Sequence, residues 1–378
     1  MKLFLAASLV MLASVFATQA QQVNRLKSYF NSFIQDTADI SRPQVLVYPT
    51  LGYSPETNTE IGLSGLLLYY HGRDTTNRLS EITARTFFTF ENQYGAFLEH
   101  ALYTDNNDWF MLGNIRYQSF PVSFYGVGIS TTLSDEQTVS GQQLLIRERI
   151  LRKIRGNFYA GVNLDYNLTS GVNFSNPRLL PESPRLHGKD GSQNLGLGLG
   201  LVLDTRHNVL NVRNGYFIEL ALVNSAAALI SDHDFRYINI DTRYFETVRK
   251  NQVLAMQLVG QFSWGEVPFN QLPQIGGPFL MRGYYQGRFR DRHLLATQME
   301  YRFLPLPLGF TDRIGAVAFA SAGTVYSDIS SVDFRHLKGA AGAGLRFLLF
   351  PKKDIYIRLD YALTREGNGF YIYIGEAF

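Results

Sequence analysis

Strand-length segments of strict apolar–polar alternation, with no long continuous apolar run between them, constrain this chain more than any other feature. Leu195, Leu197, Leu199, Leu201 and Leu203 alternate with Gly196, Gly198, Gly200, Val202 and Asp204. Leu254, Met256, Leu258, Phe262 and Trp264 alternate with Gln257, Gln261 and Ser263, and Ile355, Ile357, Leu359 and Tyr361 with Tyr356, Arg358 and Asp360. Successive side chains of a strand point to opposite faces, so this period gives each strand one apolar and one polar face. The chain is 46% hydrophobic and carries 22 Tyr and 28 Phe. That content suits a barrel whose outer face touches lipid and whose polar face lines a lumen. The fold class expected is all-β, a transmembrane antiparallel β-barrel.

Counting the alternating segments gives about 16 strands: 44–53, 60–70, 80–91, 94–104, 108–119, 139–153, 156–169, 192–204, 215–225, 233–248, 252–264, 293–303, 312–321, 337–349, 354–363 and 369–378. If the chain enters from the periplasm, the long connections 120–138, 170–191 and 265–292 all fall on the extracellular side. Turns such as Arg155-Gly156-Asn157 and Arg249-Lys250-Asn251 fall on the other. Long outer loops and short inner turns are usual for outer-membrane barrels. No internal repeat or linker divides residues 44–378, which are read as one domain.

Residues 1–20 read as a secretory signal: Lys2, then an apolar stretch from Leu3 to Phe16, then Thr18-Gln19-Ala20 as a small-residue cleavage site. The apolar stretch is shorter than the roughly 20 residues a membrane helix needs. In residues 21–43, Val23, Leu26, Phe30, Phe33 and Ile34 recur at helical spacing, which predicts a short amphipathic helix. Such a helix either lies on the periplasmic membrane surface or plugs the lumen, and its aromatic face favours the surface. The chain has no Cys, which removes disulfide and thiolate chemistry, and a net charge of +3 is too small to imply a nucleic-acid partner. The histidines His71, His100, His187, His207, His233, His293 and His336 show no ligand spacing, so neither a metal nor a cofactor is expected.

Three strings stand apart from the alternation. Gly276 to Asp291 reads GGPFLMRGYYQGRFRD and places Arg282, Gly283 and Tyr284 on a glycine-hinged connection. Glycine permits backbone turns tight enough to fold such an arginine inward. Asp204-Thr205-Arg206-His207-Asn208, followed by Asn214-Gly215-Tyr216, joins two central strands; Asp204 and Thr205 can cap backbone N–H groups there, and Gly215 allows a left-handed turn. In segment 293–303, Gln298, Glu300 and Arg302 share the lumen phase. Glu300 can therefore accept a bidentate bond from Arg282, although its neighbour Arg302 is a competing partner.

Taken together these strings resemble the BamA/TamA superfamily of outer-membrane assembly barrels, also called the bacterial surface antigen family. Met281-Arg282-Gly283-Tyr284 is similar to the family's inward-folded loop signature, and the Asp204 string to its D-T/S-R-x-N…x-G-Y/F string. The resemblance implies that Arg282 meets Glu300 in the lumen. It also implies an F-x-D-x-G string on the next strand, which here reads Phe319-Ala320-Ser321-Ala322-Gly323. With Ser321 in place of the acid, one anionic partner is missing and a looser lock is expected. Phe378, preceded by Phe370, Ile372 and Ile374, resembles a C-terminal assembly signal, from which Glu376 departs. Gly52-Tyr53-Ser54-Pro55-Glu56-Thr57 resembles relatives with a fused lipase domain, but the chain has no G-x-S-x-G elbow and is not read as an enzyme. The family's POTRA domains do not fit in residues 21–43, so a barrel-only member is expected.

The implied function is insertion or translocation of outer-membrane proteins or lipids through a lateral seam between the first and last strands. A non-insertase scaffold or passive pore, and the barrel subunit of a larger complex, stay open as alternatives. Expected partners are outer-membrane lipids and either protein clients or a periplasmic partner. The seam is placed at Pro49, Gly375 and Phe378: proline lacks the N–H that an interior strand donates, and glycine weakens strand packing.

Overall fold

Alternating segments too polar on one face to bury both become the staves of a closed antiparallel barrel. The computed structural model describes residues 41–119, 121–179, 186–206, 208–328, 330, 332 and 334–378. The expected signal peptide and residues 21–40 of the expected helix lie outside these. The strands are β1 (Gln44–Ser54), β2 (Asn58–Tyr70), β3 (Leu79–Thr89), β4 (Tyr94–Tyr103), β5 (Trp109–Ser119), β6 (Val122–Phe124), β7 (Gln137–Arg155), β8 (Phe158–Phe174), β9 (Ser192–Asp204) and β10 (Gly215–Ser225). They continue with β11 (Phe235–Arg249), β12 (Gln252–Gly265), β13 (Gln274–Ile275), β14 (Phe289–Arg290), β15 (His293–Phe303), β16 (Ile314–Tyr326), β17 (Lys338–Phe350), β18 (Ile355–Thr364) and β19 (Gly367–Ile374). Strands β5 and β6 both pair with β7 and act as one stave broken near Pro121. The two-residue strands β13 and β14 pair only with each other, which leaves 16 staves in the wall.

The phase of each strand follows its sequence. In β9, Leu197, Leu199 and Leu201 are exposed on the outer face, while Asn194, Gly200, Val202 and Asp204 are buried inside. In β12, Met256 and Leu258 are exposed and Gln257 is buried. In β15, Thr297 and Met299 are exposed, and Gln298, Glu300 and Arg302 are buried. Apolar residues outside and a polar lining inside is the arrangement lipid demands, with backbone polar groups paired between neighbouring strands.

Three boundaries differ from the sequence reading in ways that bear on the site. Strands β8 and β16 run on to Phe174 and Tyr326, past the expected ends at 169 and 321. The extension of β8 is held by an apolar cluster of Phe124, Val139, Phe174, Leu186 and Phe269. The last strand is shorter than expected and stops at Ile374. Gly375 adopts φ +90° and donates its N–H to Tyr356 O at 2.8 Å, which turns the tail out of the wall. Glu376 then pairs with Arg346 at 2.9 Å, and Phe378 packs against Phe245 and under the Arg302 guanidinium, 5.2 Å from its ring centre. Phe378 is thus a lumen residue, not the outward terminal residue of a strand, because Glu376 finds its partner inside.

Closure is uneven. Strand β1 pairs with β2 along all its residues, from Gln44↔Leu68 to Ser54↔Asn58, but with β19 only at Tyr53↔Ile372. The seam expectation is corrected at Pro49, which is opposite Leu63 of β2 and has no register partner on β19; the one closing pair falls at Tyr53. Below Tyr53 the junction is filled by side chains instead: Leu46, Leu66, Leu68, Phe350 and Ile355 form one cluster, with Tyr48 and Ile374 packed on it.

The outward phase gives a direct test. Leu258→Arg and Leu359→Arg should each cost about 2–4 kcal/mol near the membrane midplane. Gln261→Arg on the inner face should be far milder; Gln257 is a poorer control because it bonds to Asp241 and Gln298. Equal loss of the heat-modifiable folded band at outer and inner positions would refute the assigned faces.

Candidate functional site

The connection from β12 to β15 starts at the rim but does not stay there. Its β13–β14 hairpin and the residues between them turn into the lumen, where Ile275, Met281, Tyr284 and Phe289 bury against Leu294, Ala296 and Val325 on the inner wall. Met281 and Gly283 both have positive φ, +56° and +105°. That backbone presents Arg282 to the far wall. Gly283 has little room for anything larger, since a Cβ there would sit 2.7 Å from Thr364 Cγ2.

Arg282 ends between two carboxylates. One of its terminal nitrogens donates to Glu300 and the other to Asp360, while the guanidinium lies 3.7 Å from the centre of the Phe319 ring. All three charged groups are fully enclosed. The network extends on both sides. Arg302 donates to Glu300 at 2.7 Å and to the Phe378 carbonyl oxygen at 3.1 Å. Arg346 donates to Asp360 at 2.6 Å and to Glu376 at 2.9 Å. Arg358 donates to Asp360 at 3.1 Å and to the Pro278 carbonyl oxygen at 3.0 Å, tying the loop's own backbone to the wall. Paired guanidinium and carboxylate groups offset each other's desolvation only when their geometry is this complete.

The sequence reading is corrected at one point here. Ser321 does not substitute for an acid: its Oγ is buried and makes no hydrogen bond. Asp360, two strands further on, supplies the second carboxylate, so the loop does not lack an anionic partner. Its alternation with Arg358 placed it in the lumen, but nothing in the linear order tied it to Arg282. Phe319 stacks on Arg282, and Gly323 leaves space for the loop, since a Cβ there would lie 2.5 Å from Met281 Sδ. Tyr284 donates its hydroxyl to Gly339 O at 3.1 Å, and Gly283 donates its N–H to the Tyr371 hydroxyl at 2.9 Å.

Two further contacts fix the upper part of the loop. Gln286 donates its N–H to Glu56 Oε1 at 2.8 Å; burial pushes the Glu56 carboxyl above the ordinary carboxylate range. Arg288 donates to Glu366 at 2.6 Å and to Thr131 at 3.0 Å. Arg290 is buried against Phe124 with no carboxylate paired to it among the described residues, and burial pulls its pKa down to about 10.

The Asp204 string forms a second, separate cluster at the opposite end of the barrel. Asp204 accepts the Arg206 N–H at 3.0 Å and the Arg206 side chain at 2.9 and 3.0 Å. Arg78, which the sequence did not single out, pairs with Asp204 at 3.0 Å and donates to Arg206 O at 2.7 Å. Thr205 Oγ1 accepts the Tyr216 N–H at 2.9 Å, and Gly215 takes φ +106° where a Cβ would press on Thr205 O. This cluster pins the β2–β3 turn to the β9–β10 turn and does not touch Arg282.

The ion network predicts an order of severity. Asp360→Asn removes a carboxylate partner from three guanidinium groups and Glu300→Gln from two, so the first should destabilise the folded barrel by about 1–3 kcal/mol more. Arg282→Ala leaves both carboxylates with other cations and should cost about 3 kcal/mol, the lower end for a broken buried pair. Its loop should become open to protease. Urea titration of the heat-modifiable band measures each; an Arg282→Ala loop that resists protease like the parent would contradict the lock.

With this geometry in place, comparison with known proteins is informative. No curated protein matches the chain. Among solved structures, BamA from Haemophilus ducreyi lacking POTRA domains 1-3 superposes with a TM-score of 0.56 at 14% identity, covering 87% of this chain and 70% of that one. CdiB from Escherichia coli superposes with a TM-score of 0.58 at 11% identity, covering 87% of this chain and 62% of that one. CdiB from Acinetobacter baumannii gives 0.52 at 9% identity, covering 88% and 65%. The chain therefore spans less than two thirds of either CdiB. At these identities the likeness establishes the barrel fold. The Omp85 superfamily domain matches residues 86–378, most of the wall together with the inward loop and its partners, and the chain belongs to the Omp85 superfamily of integral outer-membrane barrels.

Proposed function

We propose that this barrel inserts or translocates outer-membrane proteins or lipids through the junction between β1 and β19. The observation that carries the reading is the contrast between that junction and every other: one register pair at Tyr53↔Ile372, against nearly continuous ladders elsewhere in the wall. Inside a bilayer, unpaired backbone groups cost more than in water because lipid offers no replacement. A wall short of ladder bonds at a single place opens there first, and an incoming strand can supply the missing donors and acceptors.

The neighbouring contacts fit a seam that opens while the rest holds. The inward loop is anchored to β15, β17, β18 and β19 and meets the β1 side at Glu56, beyond the end of that strand, so the Arg282 lock itself does not depend on a β1–β19 ladder. Across the seam, Tyr373 donates its hydroxyl to Glu60 at 3.2 Å and the Tyr53 and Phe370 rings lie 5.8 Å apart, contacts of side chains that can part without unfolding a strand. Partners under this reading are membrane lipids and either unfolded clients or a periplasmic protein that delivers them.

The test is a covalent latch. Tyr53→Cys combined with Ile372→Cys places two thiols at the single register pair, where cross-strand Cβ atoms lie within about 5.5 Å. Oxidation should abolish client insertion in liposomes, reduction should restore it, and small-solute leakage should not change. Insertion that proceeds through the oxidised barrel would refute the lateral route and favour the passive pore or scaffold.

A further inference from the structure

The histidines that looked scattered along the chain are not all scattered in space. His187 lies in the connection between β8 and β9, His233 between β10 and β11, and Glu266 just after β12. One ligand atom from each lies within 4.8 Å of the others. His233 Nδ1 is 3.6 Å from Glu266 Oε2, too far for a hydrogen bond, and the two imidazole centres are 5.4 Å apart. We propose that these three side chains bind one divalent transition-metal ion, and that the ion clamps three loops at the root of the inward arm.

Three observations support a site and not a chance approach. The backbones carrying the ligands are tied to one another: Phe269 donates its N–H to His187 O at 2.9 Å and Glu266 donates its N–H to Asp234 O at 2.9 Å. His233 in turn donates its N–H to Asn194 Oδ1 at 3.2 Å, which fixes that loop to β9. His233 Nδ1 is buried and makes no hydrogen bond, and it faces the Glu266 carboxylate across the cluster. The separations also fit: bonds of about 2.0–2.1 Å in a tetrahedral site put nitrogen and oxygen ligands roughly 3.4 Å apart, which small side-chain rotations reach from here.

The donor set selects the metal class. Two neutral imidazoles and one carboxylate suit zinc, nickel or copper, whereas magnesium and calcium require six or more oxygen donors. Three protein ligands leave at least one position for water or an external donor. Because Glu266 and Phe269 begin the loop that carries Arg282, a bound ion would hold the arm's entry to the rim while the ion network holds its tip.

The full chain, purified without a polyhistidine tag and kept in detergent near neutral pH, is titrated with zinc chloride by calorimetry. One zinc per chain at micromolar affinity is expected, with no displacement by magnesium or calcium chloride. His187→Ala and His233→Ala should each weaken zinc at least roughly tenfold, since even outer partners of a metal ligand are worth about 10–100-fold. Glu266→Gln should weaken it less. The heat-modifiable band shows whether each variant is still folded, and cobalt gives a second readout, a visible absorption that His233→Ala should remove. Binding that needs millimolar zinc, or zinc bound equally well by the folded double variant His187→Ala, His233→Ala, would overturn the proposal.

Discussion

The contact on which the interior depends is the guanidinium of Arg282 held between Glu300 and Asp360. A loop with two positive-φ residues at its tip has no intrinsic reason to occupy a lumen. It is there because an arginine carried into a lipid-bounded cylinder must meet fixed anions, and the wall offers two. Four enclosed arginines face Glu300, Asp360 and Glu376, each carboxylate shared or bidentate. The tail after β19, the inward loop and the three strands β15, β17 and β18 are therefore one electrostatic unit. Such a unit adds specificity more than raw stability: a shifted register would leave charges unpaired far from water.

The wall shows the opposite economy. Its outer face is uniform and replaceable, leucine and aromatic residues exposed to lipid, and its strength lies in ladders that leave few backbone groups unpaired. That strength is absent where the ring closes. A last strand that ends at Ile374 and a tail drawn inward by Arg346 together leave most of the junction to side chains. The same pull that buries Glu376 thus removes the residues that would have lengthened the closing ladder.

Much of the fold could be read from the chain. Alternation located the staves because lipid outside and polar groups inside impose period two on most of each strand, and the register shifts in β7, β11 and β17 are too local to blur the count. The segments 192–204, 215–225 and 293–303 coincide with β9, β10 and β15, bounded by Asp204, Gly215 and His293, where the alternation breaks. Phase carried further than boundaries: it placed Glu300 and Asp360 inside, and the glycines around Arg282 marked a loop able to follow them. Where the sequence offered no break, as beyond residue 169 in β8, only packing of Phe174 on Phe124 and Phe269 set the end.

By itself, then, the sequence determined the class of fold, the faces of its strands and the inward arginine, because these follow from solvent and local backbone preference. Tertiary structure decided the partners. Asp360 replaced the acid missing at Ser321, Glu376 turned a terminal strand into a lumen tail, Arg78 joined Asp204, and His187 came beside His233. Each of these pairings joins positions distant along the chain, and strand spacing carries no record of which inward residues the curvature of a closed barrel brings face to face.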